Sequence, residues 1–292
     1  MKRKRRVGFV LGSGSARGWA HIGVIQALVA EGIRPDIVCG CSIGALVGAA
    51  FAQGRLDHLE AWARALDWKA VVKLMDPGWH GGLIAGERLV EVLQSQFVDR
   101  DFSALDLPLG VVATDLASGR ELWLREGKVA DAVRASFAMP GLFTPVAREG
   151  MFLVDGGIVN PVPVSLARAM GAEIVIAVDV GSDLVGRRLA AEVGDEPESA
   201  ALNWVDRLLP KHASEESPRM PSMLDVVVGS INIMQVRIAR SRLAGEPADV
   251  LLAPRLGGLG LLEYHRAAEC IEEGRASVAR MLPAIYDALA AG

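Results

Sequence analysis

The sequence predicts an α/β fold of three layers, in which a mostly parallel central sheet lies between two layers of helices. Short apolar runs alternate along the chain with segments whose apolar residues recur every three or four positions. Such alternation is typical of a parallel sheet that is covered on both faces. Of the 292 residues, 51% are hydrophobic and 23% are charged, which is the balance of a globular protein.

The first strand and the first helix are joined by a glycine-rich loop. Residues 7–11 form a short apolar run, which is typical of a buried parallel strand. The loop runs from Gly12 to Gly18, and apolar residues then recur at helical spacing until Glu31-Gly32 ends the helix. This order predicts a strand–loop–helix unit.

The second unit has a much tighter connection. Residues 37–39 predict a strand and residues 45–51 predict a helix, which Gly54 ends. Only the segment Gly40-Cys41-Ser42-Ile43-Gly44 lies between them. The chain is therefore expected to turn sharply from strand to helix at Ser42.

The later elements continue the alternation, with one interruption. Residues 183–222 contain polar, proline-containing stretches, so we expect a variable and mobile insertion there. Because the alternation resumes afterwards, a single domain is predicted over residues 1–292. Further strands are predicted at 109–113, 121–124, 151–154, 174–179 and 250–252, and helices at 87–97, 129–137, 164–170 and from Glu263 onward.

Charge and composition argue against several classes of function. A net charge of −4 gives no overall attraction to nucleic acid. The five bases at 2–6 are either a solvated lead-in to the first strand or a source of attraction to phosphate headgroups. The apolar run after them stops at Gly12, which is not the pattern of a signal peptide, and we expect a cytoplasmic protein. No apolar run reaches the ~20 residues of a membrane helix. The three cysteines lack metal-type spacing, and neither a metal nor another cofactor is indicated.

The turn Gly40-x-Ser42-x-Gly44 has the pattern of a nucleophile elbow. Small residues on both sides of the serine allow a tight turn that lifts its hydroxyl above the sheet. The N-terminus of the following helix then stabilises developing negative charge. Because the motif alone often occurs by chance, its place between a predicted strand and a predicted helix is what favours Ser42 as a nucleophile.

The loop after the first strand is typical of an oxyanion-binding loop, because its glycines leave backbone N–H groups unobstructed. A dinucleotide-binding loop is the competing interpretation. That loop needs an acidic residue at the end of the next strand, where this chain has Cys39-Gly40-Cys41-Ser42. The residues that we assign to oxyanion binding are Gly12, Ser13, Gly14, Ser15, Arg17 and Gly18.

A carboxylate ends another predicted strand. Asp155 follows the apolar residues 151–154 and precedes Gly156 and Gly157. Open α/β sheets place their sites at the carboxyl ends of their strands, so we expect Asp155 at the same edge as Ser42. Taken alone, the Asp-Gly-Gly sequence is equally typical of a simple turn.

In chain order, the glycine-rich loop, the Gly-x-Ser-x-Gly turn and the Asp-Gly-Gly turn resemble the patatin-like phospholipases, with the bacterial RssA-type branch the most similar. The resemblance covers about residues 7–180. Other matching stretches are Ala16-Arg17-Gly18-Trp19, His21-Ile22-Gly23-Val24, Ala113-Thr114-Asp115-Leu116, Arg134-Ala135-Ser136, Pro140-Gly141 and Asn160-Pro161.

The resemblance implies a serine esterase or lipid acyl hydrolase of the phospholipase A type that needs no metal. It implies a dyad in which Ser42 attacks the ester and Asp155 accepts its proton. A carboxylate of ordinary pKa is a weak base, so we expect burial to raise the pKa of Asp155. The chain departs from the family's commonest loop, which has glycine where this chain has Ser13 and Ser15. Their amides can bind an oxyanion if φ stays negative there.

Two alternatives remain open. A Ser-Asp-His triad would use His212 or His265 as the base, and a lipid-binding or regulatory module would keep the fold with little hydrolysis. The expected partner is a phospholipid or another acyl ester, and the sequence does not indicate an oligomeric state. Peripheral membrane contact would come from a short amphipathic helix containing Leu202, Trp204, Val205, Leu208 and Leu209.

Overall fold

A computed structural model describes residues 4–74, 82–84, 86–182 and 223–291. The predicted insertion at 183–222, with its amphipathic stretch, lies outside these ranges. No helix within them combines the length and the apolar character that crossing a bilayer requires.

The strands are β1 (Val7–Leu11), β2 (Ile37–Cys41), β3 (Gly82–Ile84), β4 (Leu109–Asp115), β5 (Glu121–Leu124), β6 (Gly141–Phe143), β7 (Val146–Arg148), β8 (Met151–Asp155), β9 (Ile174–Val178) and β10 (Val250–Leu252). The helices are α1 (Ala20–Ala30), α2 (Ile43–Ala52), α3 (Leu56–Ala65), α4 (Trp68–Leu74), α5 (Glu87–Gln96), α6 (Val129–Ser136), α7 (Val164–Ala169), α8 (Met223–Gly245) and α9 (Ala267–Ala290).

The central sheet has the strand order β10-β9-β1-β2-β4-β8-β7, and β5 also pairs with β4. The five strands from β10 to β4 are parallel to their neighbours. In contrast, β5 and β8 run antiparallel to β4, and β7 runs antiparallel to β8. The prediction of a mostly parallel sheet is confirmed, with antiparallel strands added at one side.

Helices cover both faces of the sheet, which confirms the predicted three layers. In β1, Phe9 shares a hydrophobic core with Ile22 of α1 and Ile271 of α9. Its neighbour Val10 points to the opposite face, where it shares a second core with Leu166 of α7. Because alternate residues of the central strands are buried on opposite faces, these strands are apolar without interruption.

The predicted elements differ from the observed ones mainly at their ends. Strands β2, β4 and β8 run one or two residues further than predicted, to Cys41, Asp115 and Asp155. The final helix begins at Ala267, after a 3-10 turn at Tyr264–Arg266, and not at Glu263. Helices α3, α4 and α8 and the short strands β3, β6 and β7 were not predicted.

The last helix packs closely against the first. A Cβ on Gly274 of α9 would lie 2.1 Å from the carbonyl oxygen of Ala20, and one on Gly23 of α1 would lie 1.9 Å from that of Ile271. Only glycine allows the two backbones to approach this closely. Together with β10, which pairs with β9, helix α9 joins the C-terminal residues to the same sheet and core. That residues 1–292 form one domain stays a prediction.

Candidate active site

Ser42 lies at the turn between β2 and α2 in a conformation that non-glycine residues rarely adopt. Its φ is 56° and its ψ is −123°. Such a conformation costs on the order of 1–3 kcal/mol and persists only where the surrounding structure enforces it. Helix α2 begins at the next residue, so the serine lies at a helix N-terminus, where the helix dipole stabilises negative charge.

The glycines on both sides of Ser42 allow this turn. A Cβ at Gly44 would lie 2.1 Å from the carbonyl oxygen of Leu11 in β1, and one at Gly40 would lie 2.6 Å from the backbone nitrogen of Ala45. Either Cβ would overlap the backbone. The two glycines therefore set how closely α2 lies against β1 and β2, as the motif predicts.

Asp155 is fully buried and hydrogen-bonded to Ser42. Its Oδ2 accepts a hydrogen bond of 2.7 Å from the Ser42 Oγ, and its Oδ1 accepts one of 2.6 Å from the backbone N–H of Gly157. Gly156 and Gly157 both lack room for a side chain, because a Cβ would lie 2.3 Å from the Val112 oxygen and 2.5 Å from the Gln235 Nε2, respectively. The carboxylate is therefore held by two donors in a fixed turn.

The strand that carries Asp155 enters the site from a direction that the sequence did not predict. We expected Asp155 to reach the same edge as Ser42 because the carboxyl ends of parallel strands share an edge. Instead, β8 is antiparallel to β4, and Asp155 pairs with Ala113 while Cys41 of β2 pairs with Val112. Ser42 and Asp155 meet because they lie at nearly the same height on either side of β4, so the predicted reason was wrong although the residues do meet.

Burial raises the pKa of Asp155 to about 6, while the hydrogen bonds from Ser42 and Gly157 act in the opposite direction. Taking the carboxylate out of water disfavours its charged form. A higher pKa makes the carboxylate a stronger base toward the hydroxyl that it contacts. The expectation that burial raises this pKa agrees with the structure.

The glycine-rich loop lies beside this pair, and several of its amides are already engaged. The N–H of Gly12 donates to the Val178 carbonyl at 3.0 Å, and that of Ser13 donates to the Pro161 carbonyl at 2.8 Å. Within the described chain, the amides of Gly14 and Ser15 donate to no backbone carbonyl. These two amides are therefore available to a ligand.

A comparison with protein-family models identifies the family. The model described as patatin-like phospholipase matches residues 9–168, which is more than half of the chain and includes the loop, the Ser42 turn and Asp155.

The chain belongs to this family.

Similar curated proteins differ in how much of their length the chain covers. An uncharacterized NTE family protein of Mycobacterium tuberculosis is 32% identical, over 96% of this chain and 92% of that protein. Human patatin-like phospholipase domain-containing protein 6 is 35% identical over 60% of this chain, which is only 13% of that protein. The mouse protein 7 of the same series is 35% identical over 60% of this chain and 14% of its own length.

In this patatin-like chain, the expectation of a negative φ at Ser15 is wrong, although its amide donates to no backbone carbonyl of the described residues and so can still bind a ligand. Its φ is +52°, whereas Ser13 is not among the residues with positive φ. The Ser15 Oγ lies 2.6 Å from the hydroxyl oxygen of Tyr264. The left-handed conformation of Ser15 is therefore accompanied by a side-chain hydrogen bond to a distant segment.

Arg17 and Gly18 brace the loop and do not line the pocket beside Ser42. Arg17 is buried, and its guanidinium donates to Asn232 Oδ1 of α8 at 3.0 Å. A Cβ on Gly18 would lie 2.0 Å from the Cγ2 of Ile43, so glycine is needed where the loop crosses the start of α2. Both residues were assigned to oxyanion binding, but in the structure they hold the loop in place from behind the pocket.

A pocket of mostly apolar lining opens at Ser42. Its only polar lining residues are Ser42, Ser15 and Tyr264, among the part of the chain that the structure describes. An apolar wall next to a nucleophile suits an acyl chain better than a charged substrate. The apolar lining residues are Trp19, Ile43, Leu46, Trp62, Leu66, Val71, Leu89, Leu93, Phe137, Met139, Leu142 and Phe143.

Ser136, at the end of α6, holds the backbone of Ser42. Its Oγ accepts a 2.8 Å hydrogen bond from the Ser42 N–H and donates one of 2.6 Å to the Val112 carbonyl. Ser136 is fully buried. Sequence reasoning did not assign this role, and the only signal was that Ser136 lies in one of the stretches that match the family.

No histidine of the described chain takes the place of a triad base. His265 is exposed in the 3-10 turn before α9. His21 is buried, its Nε2 lies 2.8 Å from the Gly12 carbonyl oxygen, and burial lowers its pKa to about 4. His212 lies outside the described residues. The Oγ of Ser42 is hydrogen-bonded to a carboxylate instead.

Proposed function

We propose that this protein is a serine esterase of the lipid acyl hydrolase type, which cleaves carboxylic esters such as those of phospholipids. The observation that carries the proposal is the 2.7 Å hydrogen bond from the Ser42 Oγ to a fully buried Asp155. Membership of the patatin-like phospholipase family supports lipid esters as substrates. The apolar pocket that starts at Ser42 supports an acyl chain as the group that is bound.

In the proposed reaction, Asp155 accepts the proton of the Ser42 hydroxyl as its Oγ attacks the ester carbonyl carbon. The tetrahedral oxyanion, which forms next to the N-terminus of α2, accepts hydrogen bonds from the amides of Gly14 and Ser15 in the glycine-rich loop. When the intermediate collapses, the proton passes from Asp155 to the departing alcohol, and an acyl-enzyme remains. Asp155 then takes a proton from water as its oxygen attacks the acyl-enzyme. When this second tetrahedral intermediate collapses, the bond to the Ser42 Oγ breaks, Asp155 returns the proton to that Oγ, and the carboxylic acid is released.

Ser42→Ala and Asp155→Asn test the dyad. Each should lower kcat by roughly 10³-fold or more, because the nucleophile or its base is lost. Turnover is measured with p-nitrophenyl esters from acetyl to lauroyl and with phospholipid vesicles, and Ser42→Ala should also abolish labelling by a fluorophosphonate probe. The exposed Ser95 offers a matched control, and Ser95→Ala should leave both readouts unchanged.

The outcomes separate this proposal from its alternatives. Retained turnover in either dyad variant would rule the dyad out. If His265→Ala removes activity, the base is a histidine and the triad is correct. A wild-type protein that binds lipid without turnover or labelling would be a lipid-binding module. Peripheral membrane contact and a cytoplasmic location stay predictions.

A further inference from the structure

Ser15 is held in a conformation that serine does not adopt by itself. Its φ of +52° lies in the left-handed region, where the Cβ of an L-residue crowds its own backbone. Glycine adopts this region freely, so a serine here needs support from the surrounding structure. The residue also lines the pocket beside Ser42, and its amide is one of the two that remain open to a ligand.

Tyr264 supplies that support from the other end of the chain. Its hydroxyl oxygen lies 2.6 Å from the Ser15 Oγ. Tyr264 is itself fixed by Trp19, whose Nε1 donates to the Tyr264 carbonyl at 3.2 Å and whose ring meets the phenol ring edge-on at 6.2 Å. The neighbouring Leu261 carbonyl accepts a hydrogen bond of 3.1 Å from the amide of Ala16. Residues 261–264 therefore contact the loop at Ser15 and Ala16 and the adjoining residue Trp19.

The hydrogen bond between the hydroxyls of Tyr264 and Ser15 persists throughout the neutral pH range. Burial raises the pKa of Tyr264, so the hydroxyl keeps its proton throughout the neutral range. Both hydroxyls can donate and accept, so the bond does not depend on which of them donates. The phenol therefore keeps its proton, and can hold Ser15, in the neutral range in which Asp155 is ionised.

We infer that Tyr264 is a positioning residue for the proposed hydrolysis. Its hydroxyl holds Ser15 in the left-handed conformation and so directs the amides of Gly14 and Ser15 toward the oxygen of the substrate carbonyl. The inference rests on the proposed function, because it assigns those amides to the oxyanion. It adds that the oxyanion loop depends on a side chain that is 249 residues away in sequence.

Tyr264→Phe is the first test, because it removes only the hydroxyl and keeps the ring contact with Trp19. With a short-chain p-nitrophenyl ester, kcat should fall about 10-fold while KM changes less than about twofold, since misdirected donors weaken binding of the transition state more than binding of the substrate. The other tyrosine of the chain gives the control. Tyr286 is exposed and donates to Glu31 Oε2 at 2.8 Å, and Tyr286→Phe should leave kcat unchanged.

A rescue experiment separates positioning from direct action on the substrate. In the Ser15→Gly background, Tyr264→Phe should cost less than about twofold in kcat, because glycine needs no support at positive φ. In the Ser15→Ala background it should add no further loss, because both changes remove the same hydrogen bond. If Tyr264→Phe costs the same in the Ser15→Gly background as in the wild type, the phenol acts on the substrate itself and the inference is wrong.

The design also keeps this inference distinct from the proposed function. A wild-type protein without turnover and without fluorophosphonate labelling would contradict the proposed function. An active wild type with a fully active Tyr264→Phe variant would contradict only the inference. Should Tyr264→Phe fail to fold, Ser15→Ala tests the same bond from its other end and should show the same loss of kcat.

Discussion

Asp155 has to be buried to act as a base, and its burial sets a limit on the pH at which it can act. Since burial raises its pKa to about 6, the carboxylate is ionised above that pH and protonated below it. Only the ionised form can accept the proton of Ser42. We therefore expect kcat/KM to fall about tenfold for each pH unit below about 6 and to be constant above it.

The pH profile is measured with a substrate whose own ionisation does not change, such as a neutral p-nitrophenyl ester. Circular dichroism at each pH checks that the fold persists. A rate that is level down to pH 4 would contradict Asp155 as the base, and a midpoint close to 7 that disappears in His265→Ala would point to a histidine.

Ser136 carries a second prediction at the scale of single residues. Its fully buried hydroxyl is the acceptor for the amide of Ser42. In Ser136→Ala, that N–H is left buried without its acceptor, which should cost about 1–3 kcal/mol of folding free energy. Because the strained turn at Ser42 also loses its support, kcat should fall about tenfold.

Urea unfolding and ester hydrolysis measure the two effects of Ser136→Ala. Ser95→Ala, which removes an exposed hydroxyl, is the matched comparison. Unchanged turnover in a correctly folded Ser136→Ala variant would show that the turn at Ser42 keeps its geometry without this hydrogen bond.

At the scale of elements, the contact between α2 and β1 depends on Gly44. A Cβ there would lie 2.1 Å from the Leu11 carbonyl oxygen, and a backbone atom cannot move aside as a side chain can. We expect Gly44→Ala to push α2 away from the sheet, to lower stability by about 1–3 kcal/mol and to reduce hydrolysis at least 100-fold.

The control for Gly44→Ala is another glycine-to-alanine change in a helix. Apart from the backbone of α8 itself, no atom of the described residues lies within 4 Å of the Cβ position of Gly229 in α8. Gly229→Ala should therefore stabilise the protein by up to about 1 kcal/mol and leave turnover unchanged. If both variants behave alike, the close approach of α2 is not required.

The direction of β8 in the sheet could not be predicted from the sequence, although the strand itself could. The apolar run at 151–154 indicated a strand, and Asp155 indicated its carboxyl end. Whether that strand is parallel or antiparallel depends on which neighbour it joins, and local composition does not contain this information. The elbow at Ser42 could be predicted, because the five-residue motif and the strand and helix that flank it are all visible in the local sequence.

At the scale of the whole molecule, the contact between α1 and α9 tests whether the chain is one domain. Gly274→Ala would place a Cβ 2.1 Å from the Ala20 carbonyl oxygen, and we expect it to lower the free energy of unfolding by about 1–3 kcal/mol. Tryptophan fluorescence and far-UV circular dichroism should report the same single transition in the wild type and in the variant. Two separate transitions would contradict a single domain.

The fold as a whole decides which residues of the site could not be predicted from the sequence. Ser42, Asp155 and the loop glycines lie in short motifs that follow predicted strands, so these residues could be predicted from the local sequence. Ser136 and Tyr264 lie in no motif of their own and act on residues 94 and 249 positions away. Their roles follow from the fold, because only the packed structure brings Ser136 to the turn at Ser42 and Tyr264 to the glycine-rich loop.

The burial of Asp155 has a thermodynamic consequence for the resting protein. A carboxyl group whose pKa is higher in the folded state than in the unfolded state binds protons more tightly when folded. Its contribution to stability is complete in acid below the ordinary carboxyl pKa and is lost as the pH rises through about 6. Activity and stability therefore change in opposite directions over the same interval. At a pH above about 6, Asp155 is ionised and can act as the base, and its ionised carboxylate then lowers the stability of the folded protein.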